Sequence, residues 1–147
     1  MPGPVKTLIA LLVCAGALAL AAPAQSAAPT PMEKRLITKI NQTRAAHGLR
    51  KLRLGPNIQR GSHAWSRYLM RADSFHHSSQ LRAGTGEILA WGTCGWFTPL
   101  RAVRMWLNSS GHRALLLRPG FRYVGTGWTS GNWRGYSCVE MAVARFR

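Results

Sequence analysis

The feature that most limits what this chain can fold into is a change of period along its length. Up to Leu117 most of the apolar residues recur at helical spacing, broken by short extended pieces, and from Tyr123 onward they alternate. Thr30, Pro31 and Glu33 read as an N-cap, a first-turn proline and the partner of a capping box. Leu36, Ile37, Ile40 and Arg44 follow on one face, and Gly48 ends that helix. Leu49 to Leu54 reads as an extended connector. Pro56 opens a second helix with an inward stripe of Ile58, Ser62, Trp65 and Leu69, expected to end near Phe75. Glu87 to Trp91 reads as a short strand between glycine turns. Thr98-Pro99 starts a third helix through Val103 and Trp106, and Arg113 to Leu117 reads as a brief helical turn. Tyr123 to Thr129 and Tyr136 to Phe146 then read as two strands, with the hairpin turn at Ser130-Gly131-Asn132. Helices and strands are not in regular βαβ alternation, so the expected class is a layered α+β domain.

The first residues do not belong to that domain. Lys6 precedes an apolar run from Thr7 to Ala22, followed by small residues in Ala22-Pro23-Ala24 and Ser26-Ala27-Ala28. This is the pattern of a secretory signal peptide with an A-x-A-like exit. The run is shorter than the roughly 20 residues a membrane span needs, and Pro23 interrupts it. Cys14, preceded by Val13, lies too early in the run for a lipidated leader. The expected organisation is a signal peptide over 1–28, a short lead-in and helix start over 29–35, and one domain over 36–147. The protein is therefore expected to be secreted and extracellular. Export leaves Cys94 and Cys138, which read as one disulfide contributing about 3–4 kcal/mol.

Acids are scarce. Glu33, Asp73, Glu87 and Glu140 are the only carboxylate side chains in 147 residues, against 20 Lys and Arg. Four acids exclude a carboxylate-lined calcium loop and an acid-clustered two-metal centre. Loss of Lys6, the leader's only charge, leaves +15 on the mature chain. Sixteen of the basic residues are Arg, suited to bidentate contact with phosphate or carboxylate. They are scattered from Lys34 to Arg147 without a run, which predicts a generally cationic surface rather than a groove. An anionic cell-wall polymer, a lipid or a protein partner suits such a surface. No helix-turn-helix, zinc-finger or RNP signature is present, so sequence-specific nucleic-acid binding is not expected. The 46% hydrophobic residues and six Trp supply a core and exclude a disordered basic tail.

Three segments carry candidate chemistry: Phe75-His76-His77-Ser78, Gly86-Glu87, and Ser109-Ser110-Gly111-His112-Arg113. Two imidazoles and one carboxylate at element ends can converge on a cleft and hold Zn²⁺ or another divalent cation, with Glu87 as general base. Ser109 or Ser110 beside His112 is a conceivable nucleophile, but there is no G-x-S-x-G elbow. His47 reads as a helix-end cation and His63 as solvated or packed.

Taken together, these segments resemble the CAP superfamily of SCP-like extracellular domains, in its short bacterial secreted form. Asn41-x-x-Arg44-x-x-x-Gly48-Leu49-x-x-Leu52 is similar to the family's opening motif, Phe75-x-His77 to its F-x-H, and Gly86-Glu87 to its G-E-N. Ala102-Val103-x-x-Trp106-Leu107-x-Ser109-x-Gly111-His112-Arg113 is similar to A-V-x-x-W-M-x-S-x-G-H-R, and Val124-Gly125-x-Gly127 to V-G-x-G. The resemblance implies an α-β-α sandwich with a three-stranded antiparallel sheet, and a cleft of His77, His112 and Glu87 that binds a divalent cation in some members. Ile88 replaces the G-E-N asparagine, Leu115 the asparagine after G-H-R, and Ser109 a second acid. Glu140, on the last expected strand, could substitute for that acid, but in a chain this rich in Arg it reads first as a salt-bridge partner. These departures favour a non-enzymatic extracellular binding module. The alternatives are a metal-assisted hydrolase of an extracellular or cell-wall substrate, and a cationic membrane-active protein.

Overall fold

The computed structural model describes residues 28–147. The expected signal peptide lies outside the described residues, apart from Ala28. Helix α1 spans Pro31–Ala46, strand β1 Arg53–Leu54, helix α2 Pro56–Arg71 and strand β2 Gly86–Thr93. Helices α3 (Pro99–Leu107) and α4 (Ser110–Leu116) precede strands β3 (Tyr123–Trp133) and β4 (Tyr136–Phe146).

The start of α1 follows from its sequence. The Thr30 side chain accepts the Glu33 N–H at 3.3 Å, and the Glu33 carboxylate accepts the Thr30 N–H at 2.7 Å, closing the capping box. The helix ends at the His47 cap, where Gly48 takes φ +69°.

The sheet has four strands in the order β1-β3-β4-β2. β4 pairs antiparallel with both β2 and β3, while β1 pairs parallel with β3 through Arg53↔Tyr123 and Leu54↔Val124. The sheet is therefore mixed and four-stranded, not three-stranded and antiparallel. The added strand is two residues long, too short to show any period. The hairpin turn also differs from expectation. Arg134 and Gly135, at φ +48° and +82°, form it, and Ser130 to Asn132 continue β3. Two adjacent positive-φ residues are what a two-residue hairpin matched to strand twist requires.

Successive β4 residues supply two opposite faces. One face packs Ile88, Ala142, Ala144 and Phe146 against Leu36 and Ile40 of α1 and Ala102, Val103 and Trp106 of α3. The other packs Leu89, Met141 and Val143 against Leu69 and Met70 of α2. The layers are thus helix, sheet, helix. The buried face of α2 is Gln59, Ser62, Ser66, Leu69 and Met70, and Ile58 and Trp65 of the expected stripe are only half-buried. Glycines in β3 explain that rotation. A Cβ on Gly125 would stand against the main chain of Ile58 and Gln59, and one on Gly127 would lie 2.7 Å from Ser66 Oγ. The bare β3 backbone lets the small polar face of α2 approach closely.

Beyond Val124, β3 is an edge strand whose polar groups need partners. Gln59 Nε2 donates to the Thr126 carbonyl at 2.9 Å, and Gln59 Oε1 accepts the Thr126 N–H at 2.9 Å. Glu33 Oε1 accepts the Trp128 N–H at 3.3 Å and meets His63 Nδ1 at 2.7 Å. At the opposite edge the Trp106 indole N–H donates to the Leu89 carbonyl at 2.9 Å. Cys94, just past β2, is bonded to Cys138 in β4, with Cα atoms 5.4 Å apart.

Candidate functional site

Glu87 is placed by the sheet. In the β2–β4 register it stands opposite Arg145, so both side chains point to the α2 face. Arg145 Nε donates to Glu87 Oε2 at 2.7 Å. Glu87 Oε1 accepts the Ser78 N–H at 2.9 Å and lies 3.0 Å from His77 Nδ1. The carboxylate is 1% exposed, and both its oxygens are engaged. Sequence reasoning did not find Arg145; only the strand register makes it Glu87's neighbour.

His77 stands on the segment between α2 and β2 and is 57% exposed. A carboxylate oxygen accepts the Nδ1–H, which directs Nε2 away from Glu87. His76 is set apart from this pair. Its ring meets the edges of Trp65 and Tyr68, and its Nδ1 lies 2.9 Å from the His77 carbonyl.

His112 sits in the first turn of α4, half-buried. Burial lowers its pKa from the ordinary histidine value, and the charge of His77 lowers it further. His112 is therefore within electrostatic reach of His77 and favours the neutral form. Among the described residues, neither Ser109 nor Ser110 makes a side-chain hydrogen bond to it, so no serine–histidine pair is formed.

The fit to a divalent cation differs from the expected three-ligand set. No group of three or more His, Cys, Asp or Glu side chains arranged to hold a metal occurs among the described residues. Glu87 is committed to Arg145, Ser78 and His77, which leaves the two imidazoles as available donors. Glu140 offers no replacement. It lies five residues along β4 from Arg145, about 17 Å away at strand rise, and on the opposite face.

The other two predicted histidines are structural. His47 caps α1, with Nδ1 2.8 Å from the Thr43 carbonyl, and His63 pairs with Glu33. Glu33 was legible as a capping residue, but not as a buried carboxylate with four partners. Its long-range partners Gln59, His63 and Trp128 leave no local signal.

The family model for the cysteine-rich secretory protein (CAP) family matches residues 37–143. The chain belongs to the CAP family. The uncharacterised protein YkwD of Bacillus subtilis is 27% identical over 110 residues. That match takes in 65% of this chain and 42% of YkwD, so the chain spans less than half the length of its relative. Among solved structures, an extracellular SCP-domain protein of Bacillus anthracis matches with a TM-score of 0.62 at 20% identity, over 81% of this chain and 44% of that one. An outer surface protein of Borrelia burgdorferi matches with a TM-score of 0.61 at 20% identity, over 77% of this chain and 89% of that one. These likenesses show the CAP fold in this chain. No helix among its described residues is long and apolar enough to cross a membrane.

Proposed function

We propose that this CAP chain is exported and acts outside the cell as a binding module without chemistry of its own, and that His77 and His112 form the cleft that holds a divalent cation such as Zn²⁺. The observation that carries this reading is the engagement of Glu87. A general base needs a free, accessible oxygen. Here Arg145 and Ser78 occupy the carboxylate, and His77 takes its remaining reach. Glu87 acts as an orienting group that fixes the His77 tautomer and presents Nε2 outward. A neutral His112 supplies the second imidazole. The cation would offer its remaining coordination positions to a partner's own donor atoms.

The test is a calorimetric titration of Zn²⁺ into the mature chain near neutral pH, beside His112→Ala and Glu87→Gln. Binding that disappears in His112→Ala and weakens in Glu87→Gln is the expected result. Equal binding by all three proteins, or none by the native chain, would overturn the cleft.

A further inference from the structure

The scattered basic residues are gathered by the fold. One pocket of about 490 Å³ is lined by Arg50, Lys51, Arg53 and Arg122 around Tyr123. A second, of about 560 Å³, shares Arg122 and Tyr123 and adds Arg147 beside the start of α2. A third, of about 380 Å³, shares Asn57, Ile58 and Arg147 with the second and adds Arg82 and Arg145. The shared residues join the three in series, so they form one groove along the end of the sheet.

Strand register sets the spacing. Arg53 pairs with Tyr123, and the Tyr123 and Arg147 main chains exchange hydrogen bonds at 2.7 and 3.0 Å. Arg53 of β1, Tyr123 of β3 and Arg147, one residue past β4, therefore form a row with steps of roughly 4.8 Å. No acidic side chain lines the groove. The side chains of Arg50, Lys51, Arg53, Arg82 and Arg147 have no hydrogen bond or ion pair among the described residues. Arg122 bonds only to the Pro119, Gly120 and Phe121 carbonyls through Nη1. Beneath this end lies buried Arg44. It reaches the Arg50, Leu116 and Arg118 carbonyls but no carboxylate, and its Nη2 has no partner. The region thus holds more positive charge than its own residues neutralise.

We infer that this groove binds a linear polyanion with repeating phosphates, running from Arg50 across Tyr123 and Arg147 to Arg82. Three pockets in series fit a chain, whereas a single headgroup fills one of them. Guanidinium groups engage phosphate oxygens in pairs. Among the described residues, Tyr123 is the one exposed large apolar side chain that lines these pockets, whereas Trp96, Leu100 and Met105 belong to α3 and its approach and line none. The groove thus carries little of the apolar surface a membrane would need beside the cations. The inference extends the binding-module reading to a second site and is independent of the histidine cleft. At Arg145 the groove reaches the residue that holds Glu87, which sets the two sites end to end.

The test uses the mature chain, labelled long-chain inorganic polyphosphate and orthophosphate as probes, and two charge-matched double variants. Arg53→Gln with Arg147→Gln removes two groove cations. Arg67→Gln with Arg104→Gln removes two exposed cations outside it. Circular dichroism checks that both remain folded, and the Zn²⁺ titration reports the cleft separately. Polyphosphate affinity is expected to fall at least tenfold in the groove variant and less than threefold in the control. The slope of log Kd against log salt should fall by about one for each lost phosphate contact. Equal losses in both variants would overturn the inference, because the binding would then reflect net charge alone. So would equal affinity for orthophosphate and the polymer. Binding to anionic vesicles that needs Arg53 and Arg147, with polyphosphate unable to compete, would assign the groove to a membrane and overturn it too.

Discussion

The Gln59 side-chain amide pairs with both main-chain polar groups of Thr126, at 2.9 Å each way. It does for the β3 edge what a neighbouring strand would do. Gln59→Ala would leave the Thr126 N–H and C=O buried without partners, at about 1–3 kcal/mol each, and should cost about 3 kcal/mol. Gln59→Glu should cost more, because the new carboxylate faces Glu33 and the Thr126 carbonyl. Urea unfolding measures both. A loss below about 1 kcal/mol for the Ala variant would show that water replaces the amide.

Gly127→Ala tests the close approach of α2. The added Cβ meets the Ser62 main chain and the Ser66 hydroxyl at 2.7 Å, so the helix must move. The expected loss is at least about 2 kcal/mol by thermal or denaturant unfolding. Gly131→Ala is the comparison, since its Cβ meets only the flexible end of Met70 at 3.2 Å or more. Its cost should stay under about 1 kcal/mol. Equal costs at the two positions would rule out main-chain contact as the reason for Gly127.

The Cys94–Cys138 bridge closes a loop with a sequence separation of 44. Reduction, or replacement of both residues by Ser, should cost about 4 kcal/mol in the loop-entropy model. Neither residue is buried, so little packing is lost with the sulfurs. Unfolding with and without reductant measures the difference. A change under about 1 kcal/mol would place the sheet's stability in its hairpin and core alone.

His112 gives the fold a pH dependence with a definite sign. Its folded pKa lies below the ordinary 6.5, first by burial and then by the charge of His77. Between the folded value and 6.5 the unfolded chain binds more protons, so stability falls as pH drops through that window. His112→Gln should flatten this part of the stability curve and leave the neutral plateau in place. A slope unchanged in the variant would assign the effect to another group.

Much of this architecture was legible in the sequence, and the failures have physical causes. Thr30, Pro31 and Glu33 announced α1, and Pro56 and Thr98-Pro99 announced α2 and α3, because caps act within one turn. Ser62 and Leu69 of the expected α2 stripe do point inward, but polar Gln59 and Ser66 are buried beside them where apolar Ile58 and Trp65 were expected. Glycines about sixty residues further on set that choice. Residue type and motif had grouped His77 with Glu87, and of the two adjacent histidines His77 is the one that lies beside that carboxylate. The role of Arg145 and the gathering of Arg50, Arg53, Arg122 and Arg147 were not legible, since both depend on which residues lie side by side across strands. A scattered set of charges in sequence becomes a groove only through register.

The side chains that cover the two sheet edges also bear on how this protein meets others. A strand arriving at β3 would have to displace Gln59 from Thr126 and Glu33 from Trp128, and one arriving at β2 would have to displace Trp106 from Leu89. The sheet therefore makes a poor template for a foreign backbone, whether a peptide adding as an extra strand or a second copy seeding a fibril. Recognition is left to side chains at the ends and faces of the layers, where a substitution alters selectivity without unravelling a shared hydrogen-bond ladder.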